Sequence, residues 1–377
     1  MTDPAASTLF QPYQLGSTTL RNRAVLSPMT RVSAEADGTV TEQTAEYYRI
    51  FAAGDFGTII TEGSFIDAAH SQTYLRQAGM ATERHVQAWR RVTAAVHREG
   101  ANIIAQLQHS GPQGQGNAHE TGVLGPSAIP ARGEQLAMYR GQGPYPTPMP
   151  LDVDGLTRVR EAFVASALRA QQAGFDGVEI HGANGYLLDA FLTDYLNHRD
   201  DNYGGSAQNR IRLSAEIARA VRTAVGPDFT VGIRISQGKV SDLHHKWTGG
   251  VAEAATIFTT LAETGLDYLH VTEHIATEPA FPGQDSRSLA QLAREFAPNL
   301  SIIANGSINT SEPAHTLLEE GAADLVAIGM AALSNRDWPL RVLREHPLEP
   351  AFSPRKFGGL ATVQDWELDA DAQLTIQ

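Results

Sequence analysis

Hydrophobic positions along the chain occur in short runs rich in Val, Ile and Leu, and most runs precede a longer stretch with helical spacing. Continuous apolar runs are typical of parallel strands, because helices cover both faces of such a sheet. Eight runs predict strands at residues 24–27, 57–61, 102–107, 177–181, 230–235, 268–272, 301–304 and 325–328. The intervening stretches predict helices at residues 41–53, 83–99, 156–173, 208–225, 251–264, 288–296 and 312–320.

Eight strand–helix units in succession predict a closed (β/α)8 barrel, the TIM-barrel fold, because an open doubly wound sheet usually stops at about five or six strands. We expect residues 1–377 to form this one domain. Residues 10–20, with a Leu-Gly-Ser turn, predict an N-terminal β-hairpin that closes the bottom of the barrel. Residues 359–377 predict a peripheral C-terminal tail.

The stretch from Ser110 to Pro150 is crowded with Gly and Pro and lacks regular periodicity, which predicts a long loop insertion after strand three. In a barrel this loop emerges at the face where active sites form. A lid over the active site is our hypothesis for it, and a flexible surface excursion is the alternative.

Composition restricts the functions open to the chain. A net charge of −13 argues against a nucleic-acid partner, because such proteins neutralise phosphates with clustered Lys and Arg. The absence of cysteine excludes disulfides, cysteine nucleophiles, thiolate zinc sites and iron–sulfur clusters. The sequence shows neither a signal peptide nor an apolar run of membrane length, so we expect a cytoplasmic protein without a membrane partner, as a monomer or a homo-oligomer.

Polar side chains follow several predicted strands, and those after strand four carry the strongest chemical pattern. His181 and Asn184 are three residues apart, so a helical turn after the strand would place both donors on one side. Together they would hold a carbonyl oxygen and stabilise the negative charge that builds on it. The alternative is a histidine at the end of a buried strand and an asparagine in a turn.

Tyr186 lies five positions beyond His181 and would face a different side of that turn. A phenol with a reference pKa of about 10 stays protonated at neutral pH, so Tyr186 would deliver a proton as a general acid. Packing beside Leu187 and Leu188 is the alternative for this side chain.

Motifs along nearly the whole chain resemble those of one flavoenzyme family. They are Leu20-Arg21-Asn22-Arg23, Ser27-Pro28-Met29-Thr30-Arg31, Gln106 to Gly111, His181 to Leu188, Asn197-His198-Arg199, Asp201 to Ser206, Asn209-Arg210, Asn305 to Ile308 and Asp324 to Gly329. On these residues the chain resembles the Old Yellow Enzyme family of FMN-dependent ene-reductases, also called the NADH:flavin oxidoreductase family. The most specific motif is the block that starts at His181, followed by Tyr203-Gly204-Gly205-Ser206.

The resemblance implies non-covalently bound FMN and a set of residues that holds it. It places the flavin against Pro28, Met29, Thr30, Gly63, Gln106 and Arg234, and the phosphate against Gly306, Ser307, Gly329 and Met330. Gln106 would pair with the pyrimidine ring through its amide, and Arg234 would stabilise the anionic reduced flavin. The hydroxyl of Thr30 would lie near the carbonyl edge of the ring, and Gly63 would allow close approach.

Three positions depart from the pattern of the family. Met330 stands where the family has arginine or, in a subset, lysine, so the phosphate would lack one cationic partner. Arg336 is the candidate to replace that partner. Pro112 and Gln108 also differ from the usual residues, and Gln108 alters the wall of the pocket.

The resemblance further implies reduction of an activated C=C bond in a small electron-poor alkene: an enone, an enal, a quinone or a nitro compound. NADPH or NADH would reduce FMN, a hydride would pass to the β-carbon, and Tyr186 would protonate the α-carbon, in ping-pong order at one site. The substrate would be bound by His181, Asn184, Tyr186 and His274. Relatives that carry an iron–sulfur cluster need cysteines that this chain lacks.

Other chemistries have weaker support in the sequence. Residues 270–274 match the H-x-x-E-H spacing of zinc peptidases, but that chemistry needs a helix and this segment continues strand six. Asp200 and Asp201 with Glu179 have no ligand histidine nearby except His181, so we predict no metal site. A Schiff-base aldolase needs a lysine at a strand end, and Lys239 is expected in a loop. A flavin-free barrel lyase or isomerase, and a flavin-binding protein that has lost turnover, are the alternative functions.

Overall fold

Eight parallel strands pair in sequence order and close on themselves in the computed structural model, which describes residues 7–350 and 352–369. They are β1 (Ala24–Leu26), β2 (Thr58–Ile60), β3 (Asn102–Gln108), β4 (Gly177–Asn184), β5 (Thr230–Lys239), β6 (Tyr268–Thr272), β7 (Ser301–Asn305) and β8 (Leu325–Ile328). Pairing of Val326 in β8 with Ala24 in β1 closes the barrel. The predicted (β/α)8 fold is confirmed.

A helix follows each barrel strand. These helices are α1 (Glu42–Ala53), α2 (Glu83–Arg98), α3 (Val153–Gln172), α4 (Arg212–Val225), α5 (Gly250–Ala262), α6 (Leu289–Phe296), α7 (Ser311–Glu319) and α8 (Trp338–Leu343). Shorter helices are Leu187–Leu192, Ala207–Arg210 and Met330–Ser334. The helix predicted at 208–225 is thus divided at Ile211. In the described part of the chain, no helix has both the length and the apolar character needed to cross a membrane.

The strands β4 and β5 extend further than their apolar runs predicted. β4 continues beyond His181 to Asn184, and β5 continues beyond Ile235 to Lys239, where the two strands pair again after a register shift. The polar residues interrupt the hydrophobic pattern but not the backbone pairing. The expectation that Lys239 lies in a loop is therefore wrong, because this residue ends β5 and is buried.

The N-terminal segment forms the predicted hairpin. Strands Tyr13–Leu15 and Thr18–Leu20 pair antiparallel. Leu15 and Leu20 are buried in a cluster with inward-facing residues of several barrel strands. The hairpin therefore closes the amino-terminal end of the barrel and leaves the opposite end for a site.

The insertion at 110–150 contains little regular structure. It holds the short 3-10 helices Gly111–Gln113 and Ala137–Tyr139 and the paired two-residue strands Leu124–Gly125 and Met149–Pro150. Another two-residue strand, Ser64–Phe65, pairs with the end of β3.

The C-terminal segment is not peripheral over its described part. The guanidinium of Arg31 forms two hydrogen bonds with the carboxylate of Glu367, and the two side chains are almost completely buried. Arg31 also donates to the carbonyls of Ala361 and Thr362. The expectation of a peripheral tail is wrong for residues 359–369, because this ion pair binds the segment to the loop after β1, whereas residues 370–377 lie outside the described residues.

Candidate active site

Two adjoining cavities open at the carboxyl ends of the barrel strands. The strand-four cavity, with a volume of about 360 Å³, is lined by His181 and Tyr186 among other residues. The strand-seven cavity, with a volume of about 450 Å³, is lined by Gly306 and Ser307 among others. The residues common to both walls are Pro28, Met29, Asn184, Arg234 and Met330. A long ligand could therefore extend from one cavity into the other.

His181, Asn184 and Tyr186 all line the strand-four cavity, as their chemistry suggested. The predicted helical turn is wrong, however, because β4 runs through Asn184 and the next helix begins at Leu187. Asn184 has a positive φ of 64°, an uncommon conformation for a residue other than glycine. This bend in the backbone, and not helical spacing, brings the three side chains to one cavity.

Tyr186 is buried beside His181, with the two ring centroids 4.9 Å apart. Its hydroxyl oxygen lies 2.7 Å from that of Tyr74, which lines the same cavity. Burial raises the pKa of Tyr186 above its usual value, and the hydrogen bond with Tyr74 offsets only part of this effect. The phenol is therefore protonated at neutral pH and holds a proton at the cavity wall.

His181 is a neutral imidazole at neutral pH. Burial lowers its pKa well below the usual range, and the nearby Arg234 and His270 act in the same direction. Its Nδ1 atom is buried and has no hydrogen-bond partner among the residues that the structure describes. Because buried polar atoms are normally paired, this atom indicates a place for a ligand.

Gln106, near the end of β3, is held by a carboxylate inside the barrel. Its Nε2 atom donates to Glu179 Oε1 at 2.8 Å. The other oxygen of Glu179 lies 2.8 Å from His270 Nδ1 and accepts from the hydroxyl of Tyr268 at 3.2 Å. Burial acts to raise the pKa of Glu179, but His270, Arg234 and Gln106 together hold it below the usual value. An ionised Glu179 thus fixes the orientation of the Gln106 amide at the cavity.

Arg234 on β5 lies between the two cavities. Its Nη2 atom donates to Asn305 Oδ1 at 2.8 Å and to Thr272 Oγ1 at 3.3 Å. Burial lowers the pKa of Arg234, although a guanidinium remains charged at neutral pH. The buried Nε atom lacks a hydrogen-bond partner within the described ranges. Arg234 therefore offers a fixed positive charge and an unused donor to a ligand.

Pro28, Met29 and Thr30, which follow β1, line the strand-four cavity as predicted. Gly63 does not line either cavity. A Cβ atom at Gly63 would lie 1.9 Å from Oε1 of Gln108, so the missing side chain makes room for Gln108. The role of Gly63 in close approach to a ring stays a prediction.

Gly306, Ser307, Gly329 and Met330 line the strand-seven cavity, where a phosphate was predicted. Arg336 does not line it: its Nη2 atom donates to the carbonyl of Trp366. Arg336 is therefore directed toward the C-terminal segment and does not replace the cation missing at Met330.

His274 also lines the strand-seven cavity and not the strand-four cavity. His274 therefore shares a cavity with Asn184 but not with His181 or Tyr186, and its role in binding the substrate stays a prediction. His270, at the other end of the H-x-x-E-H segment, lies in β6 and contacts Glu179 inside the barrel. The segment begins as a strand, as expected, and its two histidines have different surroundings.

The outer wall of the strand-four cavity comes from distant parts of the chain. Leu136, Met138 and Tyr139 belong to the insertion after β3, whereas Pro354 and Phe357 belong to the C-terminal segment. Sequence reasoning proposed the insertion as a lid and did not foresee the C-terminal contribution.

Two residues that contact the site, Tyr74 and Glu179, were missed by sequence reasoning. Tyr74 lies in the loop after β2, and no local pattern marks it. Glu179 gave a usable signal, since a carboxylate between the apolar residues Val178 and Ile180 of a buried strand needs buried partners. Asp201, which was considered with Glu179 as a metal ligand and rejected, forms an ion pair with Arg199.

Comparison with known proteins gives consistent similarities. The family model described as NADH:flavin oxidoreductase / NADH oxidase family matches residues 8–349. A solved structure of the old yellow enzyme homologue from Zymomonas mobilis is 31% identical, has a TM-score of 0.85 and covers 97% of this chain and 99% of its own. A structure of morphinone reductase in complex with tetrahydroNAD is 31% identical, with a TM-score of 0.82 and 93% of both chains covered.

Among curated relatives, a metal reductase of Desulforamulus reducens is 32% identical over 350 residues, which is 90% of this chain and 49% of the relative. The chain thus spans about half the length of this relative, and the same holds for a second relative with 50% of its length covered.

Proposed function

The chain belongs to the NADH:flavin oxidoreductase / NADH oxidase family, the Old Yellow Enzyme family, and on this premise we propose that it is an ene-reductase. It would use NADPH or NADH to reduce the activated C=C bond of a small enone, enal, quinone or nitro compound. The observation that carries this proposal is the convergence of His181, Asn184 and Tyr186 on one cavity beside Arg234.

The residues of the two cavities fit FMN. Gln106 has its amide fixed by Glu179 and would meet the pyrimidine ring, which has both donors and acceptors at its edge. Arg234 would stabilise the negative charge of the reduced form with the Nε donor that is free of protein partners in the described chain. The phosphate would lie at the backbone of Gly306, Ser307 and Gly329. Bound there, FMN would supply the chemistry of accepting and passing on a hydride.

His181 and Asn184 would hold the oxygen of the acceptor. A neutral imidazole and an amide each donate one hydrogen bond to that oxygen, and these bonds strengthen as negative charge builds on it. The low pKa of His181 fits this role, because the buried ring then carries no charge and still has one N–H to donate. The same two donors would hold the carboxamide oxygen of nicotinamide, so the two substrates would bind in turn and the kinetics would be ping-pong.

Tyr186 would complete the reduction. As a hydride reaches the β-carbon, the proton of the Tyr186 hydroxyl would pass to the α-carbon, and water would later restore the proton to the phenolate. Nicotinamide is oxidised and the alkene gains two hydrogens, so electrons and protons balance. The raised pKa of Tyr186 keeps the proton in place until a strongly basic carbon appears.

Anaerobic spectroscopy of the purified protein tests the proposal. We expect yellow protein whose flavin absorbance is bleached by NADPH or NADH and restored by 2-cyclohexenone. Protein that stays colourless after FMN is added would support a flavin-free barrel lyase or isomerase instead. Yellow protein that NADPH or NADH bleaches but no enone, quinone or nitroalkene restores would support a flavin-binding protein without ene-reductase turnover.

A further inference from the structure

A buried ion pair joins the helix after the strand-four turn to the end of β5. Lys239 Nζ lies 2.8 Å from Asp189 Oδ1, and the two side chains are 1% and 0% exposed. The same ammonium donates to the carbonyl of Gln237 at 2.7 Å. Desolvation of two charges is costly, so a buried pair is poor evidence of stabilisation and raises the question of what else it does.

Asp189 also holds the peptide between two residues of the proposed site. Its Oδ2 atom accepts a hydrogen bond from the backbone amide of Gly185 at 2.5 Å. Gly185 has a φ of 91° and lies directly between Asn184 and Tyr186. The carboxylate therefore fixes the turn from which both side chains project.

β5 holds the same turn from the other side. The backbone amide of Asn184 donates to Ser236 Oγ at 2.8 Å, and its backbone carbonyl accepts from the backbone amide of Val240 at 3.0 Å. Lys239 is paired in register with Asn184. A positive φ at Asn184 persists only where the surroundings impose it, and these contacts impose it.

We propose that Asp189 and Lys239 are positioning residues for the alkene half of the reaction, because their ion pair holds the turn that aims Asn184 and Tyr186 at the acceptor. This inference rests on the proposed function. Lys239 also lines the strand-seven cavity, but its ammonium is almost completely buried and binds Asp189 and the carbonyl of Gln237. The pair would act through the Gly185 peptide, and neither group needs to contact the reacting atoms.

The two charges depend on each other. Burial raises the pKa of Asp189 to about 6, against the opposing effect of the Lys239 ammonium. Without that ammonium the carboxyl would be protonated near neutral pH, and a neutral acid is a weaker acceptor for the Gly185 amide. Loss of Lys239 should therefore have the same functional consequence as neutralisation of Asp189.

The test compares two acceptors for the same FMN-loaded full chain reduced with sodium dithionite. Reoxidation by 2-cyclohexenone needs the side-chain amide of Asn184 and the phenol of Tyr186 in their oriented positions, whereas reoxidation by O2 needs neither group. We expect Asp189→Asn and Lys239→Met to lower the ratio of the cyclohexenone rate to the O2 rate by roughly tenfold or more. Asp194→Asn removes a nearby carboxylate that binds Thr248 instead, and should leave the ratio within roughly twofold of the wild type.

The outcomes separate the two claims. Wild-type ratios in both variants would overturn the positioning role while leaving the ene-reductase proposal intact. Wild-type protein that O2 reoxidises but 2-cyclohexenone and other alkenes do not would overturn the proposed function itself. An equal loss with both acceptors would show a merely structural role and would also overturn the inference.

Two further measurements apply if the charge variants do not fold. Ser236→Ala removes the acceptor of the Asn184 backbone amide and leaves the buried ion pair intact. It should lower the same ratio by a smaller factor than the charge variants do. Hydrogen exchange of wild-type protein should show strong protection of the Gly185 amide. Fast exchange at Gly185, or an unchanged ratio in Ser236→Ala, would contradict the positioning role.

Discussion

The hydroxyl oxygens of Tyr74 and Tyr186 lie 2.7 Å apart in the buried wall of the strand-four cavity. Only one hydrogen can occupy the space between them. If Tyr74 donates it, the hydrogen of Tyr186 is free to point into the cavity, and Tyr74 stabilises the phenolate that remains after proton transfer. Tyr74 thus supports the acid role proposed for Tyr186.

Tyr186→Phe should slow alkene reduction by about two to four orders of magnitude, the usual contribution of a general acid, and spare the reduction of FMN by NADPH. Stopped-flow absorbance of the two half-reactions measures both effects. Tyr74→Phe should slow only the alkene step, by roughly tenfold, because one hydrogen bond to a charged group is lost. Tyr203→Phe, whose hydroxyl binds Glu216 instead, is the control. Equal losses in the two half-reactions would contradict the acid role.

Met330→Arg should tighten FMN binding by about tenfold or more, since a hydrogen bond to a charged group contributes about 1.5–3 kcal/mol. Met330 is 40% exposed at the wall of the strand-seven cavity, so a longer side chain has room there. Quenching of flavin fluorescence by apoprotein gives the dissociation constant. Met330→Leu should bind FMN as the wild type does, and an unchanged affinity in Met330→Arg would show that the phosphate needs no further cation.

Glu367→Ala should reduce the free energy of unfolding by about 3–5 kcal/mol, because the buried guanidinium of Arg31 would be left without its carboxylate. Urea denaturation measures this change. Glu42→Ala breaks the exposed pair with Arg91 and should cost no more than about 1 kcal/mol. Similar small losses in the two variants would mean that the C-terminal segment is bound by its apolar contacts alone.

Glu62 should make stability depend on pH. Burial raises the pKa of Glu62 from 4.5 to about 7 in the folded chain. A raised folded pKa means that the contribution of Glu62 is fully present below pH 4.5 and is lost as pH rises to about 7. The loss is ~3 kcal/mol at about 1.4 kcal/mol per pKa unit. Urea denaturation across this range should show the loss in wild type relative to Glu62→Gln. A difference in the free energy of unfolding between the two proteins that stays constant with pH would contradict the raised pKa.

Ligand binding should protect the insertion from cleavage. Leu136, Met138 and Tyr139 line the cavity, and the nearby Arg132 and Arg140 are trypsin sites. We expect slower cleavage at these two arginines when FMN-loaded protein is incubated with 2-cyclohexenone. Mass spectrometry of the fragments measures the rates, and unchanged cleavage would count against a lid.

The sequence by itself determined the barrel and the level at which the site lies. Apolar runs and helical spacing are local patterns, so they predicted all eight strands without knowledge of any long-range contact. Because the carboxyl ends of parallel strands meet at one face, the polar residues that follow the predicted strands were expected to form the site there. Motif resemblance added the family.

Only the tertiary structure decided which side chains are paired. The hydroxyl of Tyr74 meets Tyr186 across 112 positions, and the guanidinium of Arg31 meets Glu367 across 336. The ammonium of Lys239 meets Asp189 across 50 positions, in a strand extension that the hydrophobic pattern did not show. Such pairs depend on how loops return over the closed barrel and where backbone pairing continues past the apolar run. No local periodicity encodes these paths, so the contacts appear only when the chain is folded.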